Sequence, residues 1–89
     1  MVYEVVESVD LRDRPGAPIE ERVTGAFERE DEAIAAARAL RAVFAATGRP
    51  DYAWWVVRER GATLARWIAD SQSAKEFVLD LRTGSLVER

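Results

Sequence analysis

The sequence contains no cysteine, no histidine and no asparagine. Without cysteine there can be no disulfide and no thiol chemistry, and the usual zinc sites also need cysteine or histidine. The lack of histidine removes imidazole catalysis, a common source of acid–base chemistry near neutral pH. Without asparagine the chain has no acceptor for N-glycosylation. These absences narrow the chemistry that the protein can perform.

Excess charge of one sign and long apolar runs are also missing. The formal net charge is only −3, and this slightly acidic balance argues against a general binder of nucleic acid or of membrane surfaces. No apolar run approaches the roughly 20 residues that a membrane-spanning helix needs. Residues 1–4 lack the basic and apolar regions of a secretory signal. We therefore expect a soluble, cytoplasmic protein.

The residues that are present make the composition of one globular domain. Of the 89 residues, 48% are hydrophobic and 33% are charged, so we expect a single domain over residues 1–89. A chain this short buries only about 60–65% of its unfolded surface, which predicts a thin core. Twelve of the thirteen basic residues are arginine, and with the many alanines this bias is typical of a GC-rich bacterial genome.

The clearest periodic pattern predicts a helix over 30–47. Hydrophobic residues recur at spacings of three and four, as on a helix packed along one side; they are Ala33, Ile34, Ala37, Leu40 and Phe44. Gly48 stands where a left-handed C-cap is expected. Acidic residues gather around the first turn, where the helix dipole favours negative charge; they are Glu28, Glu30, Asp31 and Glu32. The dipole accounts for this run, so it predicts neither a metal site nor a cofactor.

Six short segments have the composition of strands. They cover 2–9, 22–27, 52–60, 64–71, 76–82 and 85–88, and a proline-containing loop over 10–21 separates the first two. Gly25 in mid-strand favours a bulge or a close approach of the helix. Tight turns are expected at Gly61-Ala62 and at Thr83-Gly84. The resulting order, β-β-α-β-β-β-β, predicts a two-layer α+β fold with one amphipathic helix on a mainly antiparallel sheet of five or six strands.

The side chains of the late strands decide what that sheet buries. Phe77, Leu79 and Leu81 alternate, and we expect them to face inward, matched across the last turn by Leu86. Trp54 and Trp55 are adjacent on one strand, so their side chains must point to opposite faces. One helix covers only one face, and a tryptophan-bearing face is then left without cover from the chain's own helix.

The most economical cover for that face is a second copy of the chain, and the sequence therefore predicts a homodimer. In the alternative, the 10–21 loop folds back over the face with Leu11 and Ile19. A two-residue turn at Gly61-Ala62 would pair Val56 with Trp67, which places Trp54, Val56, Arg58 and Trp67 on one side and Trp55, Val57, Arg66 and Ile68 on the other. A three-residue turn would set Arg58 opposite Arg66, an unfavourable like-charge pair.

The candidate interface or ligand face combines the residues of this hairpin, and both sides stay candidates. They are Trp54, Trp55, Val57, Arg58, Arg66, Trp67 and Ile68. Arginines beside tryptophans could hold a nucleotide or another planar anion by stacking and charge. In the alternative interpretation, Arg58, Arg60 and Arg66 lie at the rim of the sheet and pair with Glu59 or Asp70.

Catalytic candidates are few. Only carboxylates such as Asp70 or Glu59, hydroxyl groups and Lys75 are available, and no phosphate loop or nucleophile elbow occurs. The sequence therefore favours a small interaction protein that forms a homodimer through a tryptophan-bearing sheet face, with a ligand-binding module as the alternative and an enzyme less favoured.

Overall fold

The computed structural model describes residues 2–10, 20–47, 52–61, 65–73, 75–80 and 82–89. These residues form one antiparallel sheet and one helix, in the predicted order β-β-α-β-β-β-β, and they confirm the two-layer α+β fold. The elements are β1 (Tyr3–Asp10), β2 (Glu20–Phe27), α1 (Glu30–Ala46), β3 (Tyr52–Glu59), β4 (Ala65–Asp70), β5 (Glu76–Asp80) and β6 (Ser85–Glu88). The predicted 10–21 loop was too long at both ends, since Asp10 belongs to β1 and residues 20–21 belong to β2. Residues 11–19, the Gly48 cap and Leu81 lie outside the described residues.

Strand β1 lies inside the sheet, whose order is β2-β1-β3-β4-β5-β6. Both β2 and β3 pair antiparallel with β1, so they run in the same direction on either side of it. The segment between them must pass over β1, and α1 does so on one face of the sheet. This crossover fixes which face of the sheet is covered.

The core lies between α1 and the first strands of the sheet. Ala33 and Ala37 are fully buried, and they pack in one cluster with Val5, Trp55 and Val57. Alanine has little side-chain volume, so the helix backbone can lie close to the two-ring indole of Trp55. The first turn of α1 is acidic, as predicted for the positive end of the helix dipole. Phe44, predicted on the packed side of the helix, meets the ring of Trp55 edge-on at 5.7 Å.

A β-bulge marks the pairing of β1 with β2. Val5 pairs with Gly25, but Val6 pairs with Val23, so Thr24 is an extra residue on β2. The bulge predicted from Gly25 is confirmed. A Cβ atom at Gly25 would stand 3.0 Å from the ring of Phe27, which explains why glycine fits beside the bulge.

The pairing of β3 with β4 departs from the predicted register. Arg58 pairs with Ala65, as a two-residue turn requires, but the register then shifts and Val57 pairs with Trp67. Arg66 is the extra residue of a second bulge. Trp67 therefore lies on the same face as Trp55 and Val57, and the prediction that it shares a face with Trp54 was wrong. The bulge also avoids setting Arg66 directly opposite Arg58.

The inward face predicted for β5 is wrong as well. Val78 pairs with Trp67 and so faces α1, whereas Phe77 pairs with Ile68 on the other face. Leu79 follows Phe77 by two residues and also points away from α1, and its predicted pairing with Leu86 is confirmed. The reason is that the register of β5 follows from Trp67, and the alternation within β5 does not determine which side is inward.

The close approach of α1 to the sheet can be tested by enlarging a buried alanine. Ala37→Leu should lower the free energy of unfolding by about 1–3 kcal/mol, because a fully buried site has no room for three more carbons. Ala42→Leu, at an exposed position of the same helix, should change it by less than about 0.5 kcal/mol. Urea denaturation of both variants measures the difference. Equal stabilities would contradict the tight packing at Ala37.

Candidate functional site: the open face of the sheet

The sheet has one face under α1 and one face on which no described helix or strand lies. We call the second the open face. Trp55, Val57 and Trp67 point toward α1 and are fully buried, whereas Trp54 and Ile68 lie on the open face. The three tryptophans are therefore divided two to one between the faces. The helix-side pair belongs to the core, and Trp54 is the indole that the open face presents.

An apolar row crosses the middle of the open face, with one residue from each of five adjacent strands. Cross-strand pairs connect its members, and we call them the central row: Val23, Val6, Val56, Ile68 and Phe77. Five strands about 4.8 Å apart make this row about 19 Å long. Val6 is only 4% exposed, whereas Val23 on the edge strand β2 is 49% exposed. The row is a continuous hydrophobic band.

On one side of the central row lies an acidic row that includes Trp54. Its members are Glu21, Ser8, Trp54 and Asp70, again joined by cross-strand pairs. The Ser8 hydroxyl, fully buried, donates to Glu21 at 3.1 Å. The ring of Tyr52 lies 5.7 Å from that of Trp54, and the Tyr52 hydroxyl donates to Asp70 at 2.8 Å. Two aromatic rings are thus surrounded by carboxylates.

Asp70 keeps its charge in this setting. Partial burial raises the pKa of its carboxyl, but the hydrogen bonds from Tyr52 and from the backbone amides of Ser73 and Gln72 outweigh burial and hold the pKa below its ordinary value. The positive charge of Arg41 acts in the same direction. The carboxylate beside Trp54 is therefore ionised at neutral pH.

On the other side of the central row lies an arginine row. Cross-strand pairs join Ala26, Glu4, Arg58 and Ala65 in this row, so it carries one arginine and one glutamate. The Arg58 Nε and the Glu4 carboxylate are 3.8 Å apart, too far for a hydrogen bond, and the buried Nε has no hydrogen-bond partner among the described residues. The Arg58 side chain is 40% exposed. Leu79 and Leu86 extend this part of the open face.

The other residues of the predicted face are not gathered on it. Arg66 reaches Glu30 at the start of α1, with Nε 3.5 Å from the carboxylate, and also lies 4.0 Å from Glu59. The predicted pairing of an arginine with Glu59 is therefore confirmed, while Asp70 bonds to Tyr52 instead. Arg58 and Arg66 were both candidates for this face, and of the two it is Arg58 that lies on the same face of the sheet as Trp54. Among the described residues of the predicted face, Arg66 is directed to Glu30 on the helix side, and Arg58 stays on the open face.

Two carboxylates that were not predicted as partners accept hydrogen bonds from the buried indoles. The Trp55 N–H donates to Glu7 and the Trp67 N–H to Glu76, each at 3.2 Å. Arg38 of α1 then donates two hydrogen bonds of 2.7 Å to Glu76. Glu7 stands between Val5 and Val9 on an inward-facing pattern, which is the sequence signal that could have indicated a buried acceptor.

The described residues hold no group of three or more histidine, cysteine, aspartate or glutamate side chains placed to bind a metal ion. Within the same part of the chain, no helix is both long and apolar enough to cross a membrane. No family model, curated protein or solved structure matches the chain. The geometry and chemistry of the open face are thus the basis for a functional proposal.

The link from Glu76 to Arg38 and Trp67 predicts a pH dependence of stability. The Arg38 hydrogen bonds lower the pKa of Glu76 against the opposing effect of burial, and Trp67 adds to the lowering. A depressed pKa in the folded state stabilises the fold above the unfolded pKa, near 4.3, and this contribution is lost as the pH falls through the folded value. Glu76→Gln should cost about 1–2 kcal/mol at pH 7.

Chemical denaturation between pH 7 and pH 3 measures this effect. The difference between the parent and Glu76→Gln should narrow as the pH falls below about 4.3, since the parent then loses the same charge. Glu20→Gln, at an exposed position of β2, should follow the parent throughout. A gap for Glu76→Gln that stays constant over this range would contradict the role of the Glu76 charge.

Proposed function

We propose that this protein acts by association and that it forms a homodimer in which two open faces pack together. From its arginine-rich and alanine-rich composition we also infer a bacterial protein, and we place it in the cytoplasm. The observation that carries the proposal is the central row, five apolar side chains in line on five adjacent strands. None of the described elements lies over it, and Trp54 adjoins it.

The size of the open face suits this role. Six strands about 4.8 Å apart and about 20 Å long give a face of about 600 Å² in projection, and its corrugated accessible area is larger. A standard interface buries about 800 Å² on each partner. Face-to-face packing of two sheets about 10 Å apart is a common way to bury such surfaces. The open face is therefore large enough for a stable dimer.

The energy for association would come from apolar burial. Removing apolar surface from water contributes about 25 cal/mol per Å², and a tryptophan near the centre of an interface is often a residue on which much of the affinity depends. Trp54 stands next to Val56, the middle residue of the central row. Covering both should supply several kcal/mol.

The electrostatics of the face favour a protein partner over an anionic ligand. Trp54 lies between Ser8 and Asp70, and Glu21 extends the same row, so a phosphate near Trp54 would meet carboxylates. We do not propose catalysis, because Asp70, which pairs across the strands with Trp54, already accepts hydrogen bonds from Tyr52 and from two backbone amides.

The proposal predicts a dimer at micromolar concentration. Light scattering of the parent protein should give twice the chain mass of 10.0 kDa, and dilution should shift the tryptophan emission as Trp54 becomes exposed. Trp54→Ala should raise the dissociation constant by about a hundredfold, as expected for a central aromatic residue. A parent protein that stays monomeric at these concentrations would contradict the proposal.

Two exposed valines provide a matched control. Val23 is 49% exposed on the open face, and Val43 is 66% exposed on α1, beside a groove between α1 and β2. Val23→Ser should weaken the dimer several-fold, whereas Val43→Ser should not. The reverse result would place the interface on the helix side.

If the parent is a monomer whose tryptophan emission changes with added ATP, the ligand-binding alternative is supported instead.

A further inference from the structure

The two sides of the central row differ in charge, and this difference determines how two copies can fit. We propose that the partner of the open face is a second copy whose strands run antiparallel to those of the first, related by a two-fold axis along the central row. In this arrangement Arg58 of each protomer lies over Trp54 and Asp70 of the other. The inference rests on the proposed function and specifies the geometry of that dimer.

Symmetry leaves two simple arrangements. Two sheets that pack face to face through a two-fold axis must have that axis in the plane between them, so it runs either along the strands or across them. An axis across the strands, along the central row, places β3 over β3 of the partner and exchanges the two flanking rows. An axis along the strands keeps each row over its own counterpart.

Charge complementarity decides between these arrangements. With the axis along the strands, the acidic row would face itself, and Asp70 and Glu21 of both protomers would lie at the same level. With the axis along the central row, the acidic row instead faces the row of Arg58 and Glu4, whose charges are opposite. Glu4 of each protomer then lies over Ser8 of the other, and Arg58 lies over Trp54 with Asp70 beside it. Trp54 lies two residues before Val56, and Arg58 lies two residues after it. A two-fold axis through Val56 therefore places Trp54 of one protomer over Arg58 of the other.

Arg58 has the chemistry that this contact requires. Its side chain is 40% exposed, although its Nε is buried 3.8 Å from Glu4 without a hydrogen bond, so a partner would meet the rest of the guanidinium group. A guanidinium group packs favourably on the face of an indole ring. Trp54 offers such a ring, and the ionised Asp70 beside it offers an acceptor. Sheets about 10 Å apart leave a gap that an arginine side chain can span.

Cross-linking can determine the axis, because the chain has no native cysteine. Three exposed positions on β2 sample the three rows: Glu21 the acidic row, Val23 the central row, and Ala26 the arginine row. A bis-maleimide that spans about 10 Å should link Val23→Cys to its own copy. It should link Glu21→Cys to Ala26→Cys when the two variants are mixed. Neither variant should link to itself, since these pairs would be about 17 Å apart.

The same experiment separates failure of the geometry from failure of the dimer. If light scattering shows a dimer but Val23→Cys does not link to itself, or Glu21→Cys does, the antiparallel arrangement is overturned while the proposed function stands. If the parent is monomeric, both fall. Ala42→Cys, on the exposed side of α1, is the control that should give no cross-link at the same concentration.

A pair of arginine variants tests the contact itself. Arg58→Ala should raise the dimer dissociation constant about tenfold, and Arg58→Lys should recover part of that loss because the charge is retained. Arg29→Ala, at an exposed position just before α1, should leave the constant unchanged. Circular dichroism should show the same secondary structure for all three variants, so that a change in the dissociation constant does not come from unfolding. An Arg58→Ala dimer as tight as the parent would overturn the contact.

Discussion

Burial of Trp55 and Trp67 under one helix is the constraint on which the rest of this structure depends. Both indoles are fully buried on the same face, although a plain hairpin register would place them on opposite faces. The bulge at Arg66 moves Trp67 to the side of Trp55. Because adjacent strand residues alternate, the same step leaves Trp54 and Ile68 together on the open face.

The buried indoles also explain the polar contacts between the layers. An indole N–H that leaves water must find an acceptor, and Glu7 and Glu76 supply one for Trp55 and Trp67. Glu76 in turn binds Arg38, so one carboxylate joins the core of the sheet to α1. This contact ties α1 to β5 on the helix side of the sheet, and the open face receives no part of the helix.

Much of the architecture followed from local sequence patterns. The helix was predictable because the spacing of its hydrophobic residues and the charge of its first turn agree, and Gly25 indicated the bulge in β2. The faces of the late strands were not predictable. Both faces of β3 carry apolar residues, so alternation gives no inward side there, and a bulge of one residue at Arg66 reverses the assignment of Trp67. In β5 alternation favours Phe77 and Leu79 as the inward side, but the pairing with β4 turns Val78 toward α1 instead.

The candidate site was predictable to the same extent. Adjacent tryptophans at 54 and 55 were enough to predict a face without helical cover, and Trp54 and Ile68 are on it. The central row was not predictable, since Val6, Val23 and Phe77 come into line with Ile68 only through two bulges and the pairing of five strands. No local pattern in the sequence records such a row.

The open face follows from the length of the chain as well as from its fold. A sheet of six strands has two faces of similar area, and a chain of 89 residues forms only one helix among its described residues. Small domains bury a low fraction of their surface, so a second apolar face is a large part of what they can still bury. In the proposed dimer, association of two open faces would bury the apolar side chains on which no described helix or strand lies. In such a dimer the stability of the fold would depend on protein concentration, because the interface would be a second core.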